Sequence, residues 1–222
     1  MSNTLPKDSL RIAGFEEESV VDGPGIRNVI FFQGCANHCE GCHNPETWDP
    51  QGGQVYSLLD IFKQMDAWRE NTLVDGITLS GGDPLYFLEH EDLSLLESVR
   101  QVVEYAHYLY DGDVILYTGY SVERILKSHL FQTSYAFRDL LHCVRYVIAE
   151  PYIQSLRTVE KSFRGSTNQS IISLYPKTPG ADDWAVMHVE DLWDKGEFDK
   201  ADNQLRLVAP YKFTGDLAYG AK

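Results

Sequence analysis

The chain has 222 residues, enough for one large domain or two small ones. Hydrophobic residues make up 43% of it and charged residues 23%, which is ordinary globular usage and argues against a disordered or fibrous protein. Nineteen Lys and Arg residues against 33 Asp and Glu residues leave a formal net charge of −14. A surface of this sign repels phosphate backbones, so we expect no nucleic-acid partner.

The sequence also predicts where the protein works. No apolar run approaches the ~20 residues that cross a bilayer, and residues 1–9 lack the basic start and apolar core of a signal peptide. We therefore expect a cytoplasmic protein with no membrane partner.

Strands and helices are predicted to alternate along most of the chain. Strands are indicated by short runs rich in Ile, Val and Phe, and helices by apolar residues spaced three and four apart. In chain order the predicted elements are strands at 10–15 and 28–33, a helix at 58–68, a strand at 77–79, a helix at 95–106, a strand at 113–118, a helix at 122–127 capped by Ser121, and strands at 143–149 and 170–174.

This alternation predicts an α/β fold with a parallel sheet. The composition changes at Pro176, after which eight acidic residues fall between residues 181 and 202, with Trp184 and Trp193 among them. We expect residues 1–175 to form one domain and residues 176–222 to form a C-terminal extension whose aromatic side chains pack onto it. A docking surface for a larger partner is the second interpretation of the extension.

Three of the four cysteines form a C-x3-C-x2-C cluster, Cys35, Cys39 and Cys42, directly after the second predicted strand. A disulfide framework would spread its cysteines along the chain, whereas crowded thiols indicate metal binding or redox chemistry. Three thiolates can hold three irons of a [4Fe–4S] cluster and leave the fourth iron open to a small molecule. A zinc site completed by His38 or His43 and a redox-active cysteine pair are the alternatives.

A glycine-rich segment, Ser80-Gly81-Gly82-Asp83-Pro84, follows the predicted strand at 77–79. Gly81 and Gly82 have no side chains, so a ligand can approach their backbone. Parallel sheets place ligands at such strand ends. A simple turn of the chain is the alternative.

These segments together resemble the radical S-adenosylmethionine enzymes that install glycyl radicals. The resemblance spans residues 12–174, and two later segments resemble one branch, the activating proteins of anaerobic ribonucleoside-triphosphate reductase. The matching segments are Asp22-Gly-Pro-Gly-Ile-Arg27, Val29-Ile-Phe-Phe-Gln-Gly34, the three cysteines, His43-Asn44-Pro45, Ser80-Gly-Gly-Asp-Pro-Leu85, Tyr117-Thr-Gly-Tyr120 and Phe163-Arg-Gly-Ser-Thr-Asn-Gln169.

The resemblance implies a half-to-three-quarter (β/α) barrel of parallel strands and a [4Fe–4S] cluster on Cys35, Cys39 and Cys42. It implies that reductive cleavage of S-adenosylmethionine gives methionine and a 5′-deoxyadenosyl radical, which takes a hydrogen from a glycine Cα of the large reductase subunit. A low-potential electron donor is implied as a second partner. No side-chain acid or base is required, so no catalytic residue is assigned. The residues implied to hold S-adenosylmethionine are Gly41, Cys42, His43, Ser80, Gly81, Gly82 and Asp83.

Other readings of the same pattern stay open. Gly41 stands where many radical enzymes carry an aromatic residue, and only Cys143 is left over for a second cluster. The glycine favours the branch of the anaerobic ribonucleotide reductase activators. The lack of further cysteines favours the compact activators, of that reductase and of pyruvate formate-lyase, and a deazaguanine-pathway enzyme is another candidate. A non-catalytic zinc-binding interaction module is the alternative from a different class. We expect Cys143 to be a buried hydrophobe in a strand and Arg27 to be a surface charge, with pairing to a carboxylate as the alternative.

Overall fold

The computed structural model describes residues 5–178 and 182–213. One eight-stranded sheet runs through it, and helices pack on both of its faces. The strands are β1 (Ser9–Ser19), β2 (Arg27–Phe32), β3 (Gln54–Ser57), β4 (Gly76–Gly81), β5 (Val114–Tyr117), β6 (Tyr146–Ala149), β7 (Ser170–Pro176) and β8 (Trp184–His188). The helices are α1 (Leu58–Arg69), α2 (Leu93–Leu109), α3 (Val122–Lys127), α4 (His129–Thr133), α5 (Tyr135–Cys143), α6 (Glu190–Trp193) and α7 (Phe198–Val208).

The sheet is mixed, in the order β3-β1-β2-β4-β5-β6-β7-β8. The four inner strands β2, β4, β5 and β6 are parallel, with Val29 opposite Thr78 and Leu79 opposite Leu116. The α/β class is thus confirmed, but the expectation of an all-parallel sheet is wrong, because β1, β3, β7 and β8 pair antiparallel. Antiparallel neighbours need only a loop to connect them, whereas parallel neighbours need a crossover connection. In the sequence, the helices that can make such crossovers fall between the inner strands.

Short polar side chains fix where the helices begin. Ser57, Asp92 and Ser121 accept hydrogen bonds from backbone N–H groups in the first turns of α1, α2 and α3. Each cap satisfies a donor that has no partner within its helix. The predicted cap at Ser121 is therefore confirmed.

The predicted strand at 143–149 is too long at its start. Cys143 is the last residue of α5, and the strand β6 begins at Tyr146. A continuous apolar run does not distinguish a buried helix end from a buried strand. Cys143 is buried as expected, with 1% of its surface exposed, but it lies at the end of a helix.

Arg27 is not a surface charge. Its side chain is 1% exposed, and its guanidinium pairs with Asp113 at 2.9 Å. The same group donates to Thr78 Oγ1 and to the carbonyl oxygens of Ile77 and Pro24. A buried arginine with this many partners fixes the 22–25 turn against the parallel strands.

The two faces of the sheet carry separate cores. Successive residues of a strand point to opposite faces, so Val114 and Leu116 belong to the core under α1, α2 and α5, while Ile115 packs with the residues of α6 and α7. Trp193 is 1% exposed and packs edge-on against Tyr146 with ring centroids 5.1 Å apart. The ring of Trp193 thus packs onto the sheet as expected, while the division into a domain and an extension stays a prediction.

Among the residues that the structure describes, no helix has the length and apolar character needed to cross a membrane.

Candidate cluster and cofactor site

One cavity of about 460 Å³ lies where the parallel strands β2, β4 and β5 end. It brings together most of the residues that the sequence predicted for the site. The predicted residues that line it are Cys35, Cys39, Cys42, His43, Ser80, Gly81 and Gly82. Gly41 and Asp83 lie next to this lining in sequence but are not part of it.

The cysteine loop leaves the end of β2 and is held there by its own backbone. The N–H of Gly34 donates to Thr47 O at 2.8 Å, and the N–H of Cys35 donates to Trp48 O at 3.1 Å. Gly41 has a φ of +72°, and a Cβ at this position would lie 1.8 Å from Gln154 Oε1. The left-handed conformation favours glycine here, whereas the end of the Gln154 side chain could move aside.

The three thiols form a donor set that suits an iron–sulfur cluster. A cubane binds each thiolate to a separate iron, and all three cysteines share one cavity. Within the described ranges, no three His, Cys, Asp or Glu side chains are grouped as ligands of one metal ion. The backbone N–H of Asn44 lies 3.4 Å from Cys42 Sγ and donates to it. Hydrogen bonds to ligand sulfurs of this kind tune a cluster once it is bound.

Burial affects the charge of the thiols. Burial raises the pKa of Cys35, with a further increase from the charge of Asp83, and burial also raises the pKa of Cys39. Without a metal both groups thus favour the neutral thiol. A cationic cluster reverses this preference, because metal ligation requires the thiolate.

The glycine-rich loop is pressed against the start of the cysteine loop. The N–H of Gly82 donates to Phe32 O and that of Asp83 donates to Gly34 O, both at 2.8 Å. A Cβ on Gly82 would lie 2.4 Å from Gly34 O, and a Cβ on Gly81 would lie 2.6 Å from Phe32 N. Any side chain would force the two loops apart, so both glycines are required by packing.

Asp83 lies beneath the cavity and joins the glycine-rich loop to the end of β5. Its carboxylate accepts hydrogen bonds from Thr118 Oγ1 and from the N–H groups of Gly119 and Leu85, at 2.8 to 3.0 Å. Burial raises the pKa of Asp83 to about 6. The side chain is therefore placed to position two loops, while its neighbours form the cavity wall.

Several lining residues were not assigned a role from the sequence. The ring of Tyr152 lies 5.6 Å from that of His43, and the ring of His38 stacks on Trp48 with centroids 4.9 Å apart. Asn37, Tyr152 and Arg157 all line the cavity. Asn37 could have been suspected because it lies inside the cysteine cluster. Tyr152 and Arg157 lie in a segment with no periodicity, so only the fold reveals their position.

Comparisons with known proteins agree with this geometry. Residues 21–172 match the family model described as the 4Fe-4S single cluster domain. The chain is 34% identical over 153 residues to the anaerobic ribonucleoside-triphosphate reductase-activating protein of Enterobacteria phage T4, a match that covers 69% of this chain and 87% of that one. It is 44% identical over 77 residues to the pyruvate formate-lyase 1-activating enzyme of Escherichia coli (strain K12), covering 34% of this chain and 31% of the relative. It is also 34% identical over 106 residues to the pyruvate formate-lyase-activating enzyme of Clostridium pasteurianum, covering 45% of this chain and 44% of the relative.

The fold, the cysteine loop and these matches define an iron–sulfur enzyme of the radical S-adenosylmethionine class. The chain belongs to the family of 4Fe–4S single cluster domain proteins that includes the anaerobic ribonucleoside-triphosphate reductase-activating protein. The resemblance inferred from the sequence is confirmed, and with it the [4Fe–4S] cluster and S-adenosylmethionine as cofactors. The family match favours iron over zinc at the cysteine loop.

Proposed function

We propose that this enzyme activates anaerobic ribonucleoside-triphosphate reductase by generating a glycyl radical on it. The bound [4Fe–4S] cluster supplies the electron that cleaves S-adenosylmethionine reductively. The observation that carries the proposal is the shared cavity, which joins three cysteines to a glycine-rich loop at the ends of parallel strands. The match to the phage T4 activating protein supports it, because it covers 87% of that relative.

We assign roles within the cavity as follows. Cys35, Cys39 and Cys42 hold the cluster. The backbone of Ser80, Gly81 and Gly82 and the neighbourhood of His43 hold S-adenosylmethionine. Gly41 allows the left-handed turn of the cysteine loop, and Asp83 keeps the glycine-rich loop in place through hydrogen bonds from Thr118 and Gly119. The protein thus orients the two cofactors and limits the access of water.

The finer architecture is part of the same proposal. The parallel strands β2, β4, β5 and β6 form the partial barrel that carries the site, and residues 176–222 form an extension to it. A low-potential donor reduces the cluster. We place the enzyme in the cytoplasm, where crowded free thiols are kept reduced.

Activation of pyruvate formate-lyase is the second candidate. The observation that favours it is the higher local identity, 44%, to the Escherichia coli activator. That match covers only 31% of the activator, so we rank it below the reductase.

An anaerobic assay tests the proposal. The reconstituted enzyme is incubated with reductant, S-adenosylmethionine and either the reductase or pyruvate formate-lyase. We expect 5′-deoxyadenosine in both reactions and a glycyl-radical electron paramagnetic resonance signal with the reductase. Absence of 5′-deoxyadenosine refutes the radical chemistry, and a signal with pyruvate formate-lyase alone selects the second candidate.

A further inference from the structure

The connection between β6 and β7 forms one side of the cavity opening. We call residues 150–169 the rim loop. Its backbone folds back on itself, because the N–H of Thr158 donates to Gly165 O and that of Thr167 donates to Leu156 O. Val159 lies at the far end of this fold, lines the cavity and is 88% exposed.

The carboxylate of Asp194, in the C-terminal extension, binds the rim loop. Asp194 accepts hydrogen bonds from Lys161 Nζ at 2.7 Å, from the N–H of Ser162 at 3.2 Å and from the guanidinium of Arg164. The Arg164 side chain is 4% exposed and that of Asp194 is 15% exposed. Burial would raise the pKa of Asp194, but the hydrogen bonds from Arg164 and Lys161 hold it below its usual value. Asp194 is therefore charged and fully engaged with the rim loop.

Aromatic contacts between the rim loop and the C-terminal extension accompany the hydrogen bonds of Asp194. The ring of Phe163 packs edge-on against Trp193 at 5.8 Å and lies 5.9 Å from Phe198. Phe163 has a φ of +54°, a conformation that a bulky residue adopts only when its surroundings hold it. On the other side, Tyr117 Oη donates to Phe163 O at 2.9 Å, which joins the rim loop to the end of β5.

The exposed part of this loop carries apolar side chains, the cation Arg157 and the carboxylate Glu160. Leu156 and Val159 are exposed on the loop, and Val21 is 71% exposed across the cavity. The exposed side chain of Arg157 also lines the cavity and makes no ion pair or hydrogen bond with any described residue. Exposed apolar side chains on both sides of one opening offer contacts to a bound polypeptide. An arginine that pairs with no described residue suits a partner segment that carries a carboxylate.

We propose that Asp194 is a positioning residue, which holds the rim loop so that its apolar end and Arg157 receive the glycine-bearing segment of the protein substrate. This inference rests on the proposed function. By this inference the C-terminal extension controls how the partner enters the cavity. The extension lies beyond residues 21–172, which match the family model.

The test separates partner recognition from cofactor chemistry. Glycyl-radical formation is followed by electron paramagnetic resonance against reductase concentration, and 5′-deoxyadenosine formation is measured without the reductase. For D194N we expect the KM for the reductase to rise about tenfold, because a displaced loop misaligns the bound segment. The rate of 5′-deoxyadenosine formation without the reductase should fall by a smaller factor, since Asp194 contacts the rim loop and neither the cysteine loop nor the glycine-rich loop.

Matched variants keep the result specific. D191N removes the same charge from an exposed residue three positions earlier and should leave the KM unchanged. D194E should restore most of the affinity because it keeps the carboxylate. If D194N does not fold, K161M removes only the ion pair between Lys161 and Asp194, in which the lysine side chain is 41% exposed. This variant should raise the KM to a smaller extent.

A second arm tests the surface itself. Val159→Asp places a charge at an exposed position of the cavity lining and should raise the KM for the reductase. Val21→Asp should raise it as well, from the other side of the opening. An unchanged KM in both D194N and Val159→Asp overturns the inference. The inference is also overturned if D194N loses 5′-deoxyadenosine formation by the same factor as affinity for the reductase, since the substitution would then have damaged the enzyme generally. If the wild-type enzyme forms no radical on the reductase, the proposed function fails instead.

Discussion

At the scale of single residues, burial separates the four cysteines into two kinds. Cys35, Cys39 and Cys42 line a cavity, whereas Cys143 is enclosed at the end of α5, where burial raises its pKa to about 12. A thiol that stays protonated is a poor metal ligand. This contrast supplies a matched pair of substitutions.

We expect Cys39→Ala to abolish cleavage of S-adenosylmethionine and Cys143→Ala to retain it. The first removes a cluster ligand, and the second removes one buried sulfur at a cost of about 1 to 2 kcal/mol in stability. Iron content and 5′-deoxyadenosine formation measured under anaerobic conditions check both. Retained cleavage in Cys39→Ala would contradict the ligand assignment.

Lys212 is a second residue whose environment makes a prediction. Its side chain is fully buried, and its Nζ donates to the carbonyl oxygens of Leu141, His142 and Val144 at the end of α5. Burial lowers its pKa to about 7 from the usual 10.5. Between these values the unfolded chain binds more protons than the folded one, so this group adds stability as the pH rises from 7.

The free energy of unfolding of the wild-type protein should therefore rise, relative to that of Lys212→Met, as the pH is raised from 7 to 9. The comparison cancels groups that titrate equally in both proteins, and below pH 7 the difference should level off. Urea unfolding at several pH values measures it. A difference that shrinks as the pH rises would show that the ammonium form is the one that the three carbonyls stabilise.

At the scale of elements, the site depends on how closely two loops approach. The glycine-rich loop after β4 meets the cysteine loop after β2 with no room for a Cβ at Gly82. Gly14 in β1 is a control, because a Cβ there would meet nothing within 4 Å.

Gly82→Ala should weaken the binding of S-adenosylmethionine at least about tenfold and destabilise the fold by about 1 to 3 kcal/mol, since the backbone itself must move. Gly14→Ala should change neither property appreciably. Isothermal titration with the reconstituted enzyme and thermal unfolding test the pair. Equal behaviour of the two variants would show that the loop contact is not needed.

The elements also show what sequence reasoning captures. The apolar runs of β2, β4 and β5 and the stripe on α2 were predicted within a few residues, because their side chains are buried with a regular period. The strands β3 and β8 were missed. Both lie at the edges of the sheet, are four and five residues long, and carry few fully buried side chains, so their sequences have little alternation.

At the scale of the whole molecule, the cysteine loop, the glycine-rich loop and the segment at 163–169 were singled out from the sequence, but residues 150–159 of the rim loop were not. The rim loop contributes Tyr152, Arg157 and Val159 from a segment without regular structure. Its position follows from Asp194 and Trp193, which contact it from thirty or more residues further along the chain. A local pattern carries no signal for such a distant contact.

Loading the cluster should stabilise the entire enzyme. The thiolates bind iron in the folded chain and not in the same geometry in the unfolded one, so the free energy of cluster binding adds to that of folding. We expect the reconstituted protein to melt several degrees above the iron-free protein, and Cys42→Ala to lose this difference. Anaerobic differential scanning calorimetry measures it, and an equal melting temperature with and without iron would contradict the site.

The division of the core between two faces has a consequence for synthesis. Ile115, Tyr146 and Ile148 are covered by Trp193 and other residues of α6 and α7, which leave the ribosome well after the strands they cover. Until these helices emerge, one apolar face of the sheet in the nascent chain is exposed to water. Such a chain is prone to aggregation and to binding by chaperones. A ribosome stalled before α6 should therefore present a chain that chaperones bind and proteases cut, and one stalled far enough beyond α7 for the helix to emerge should present a resistant chain.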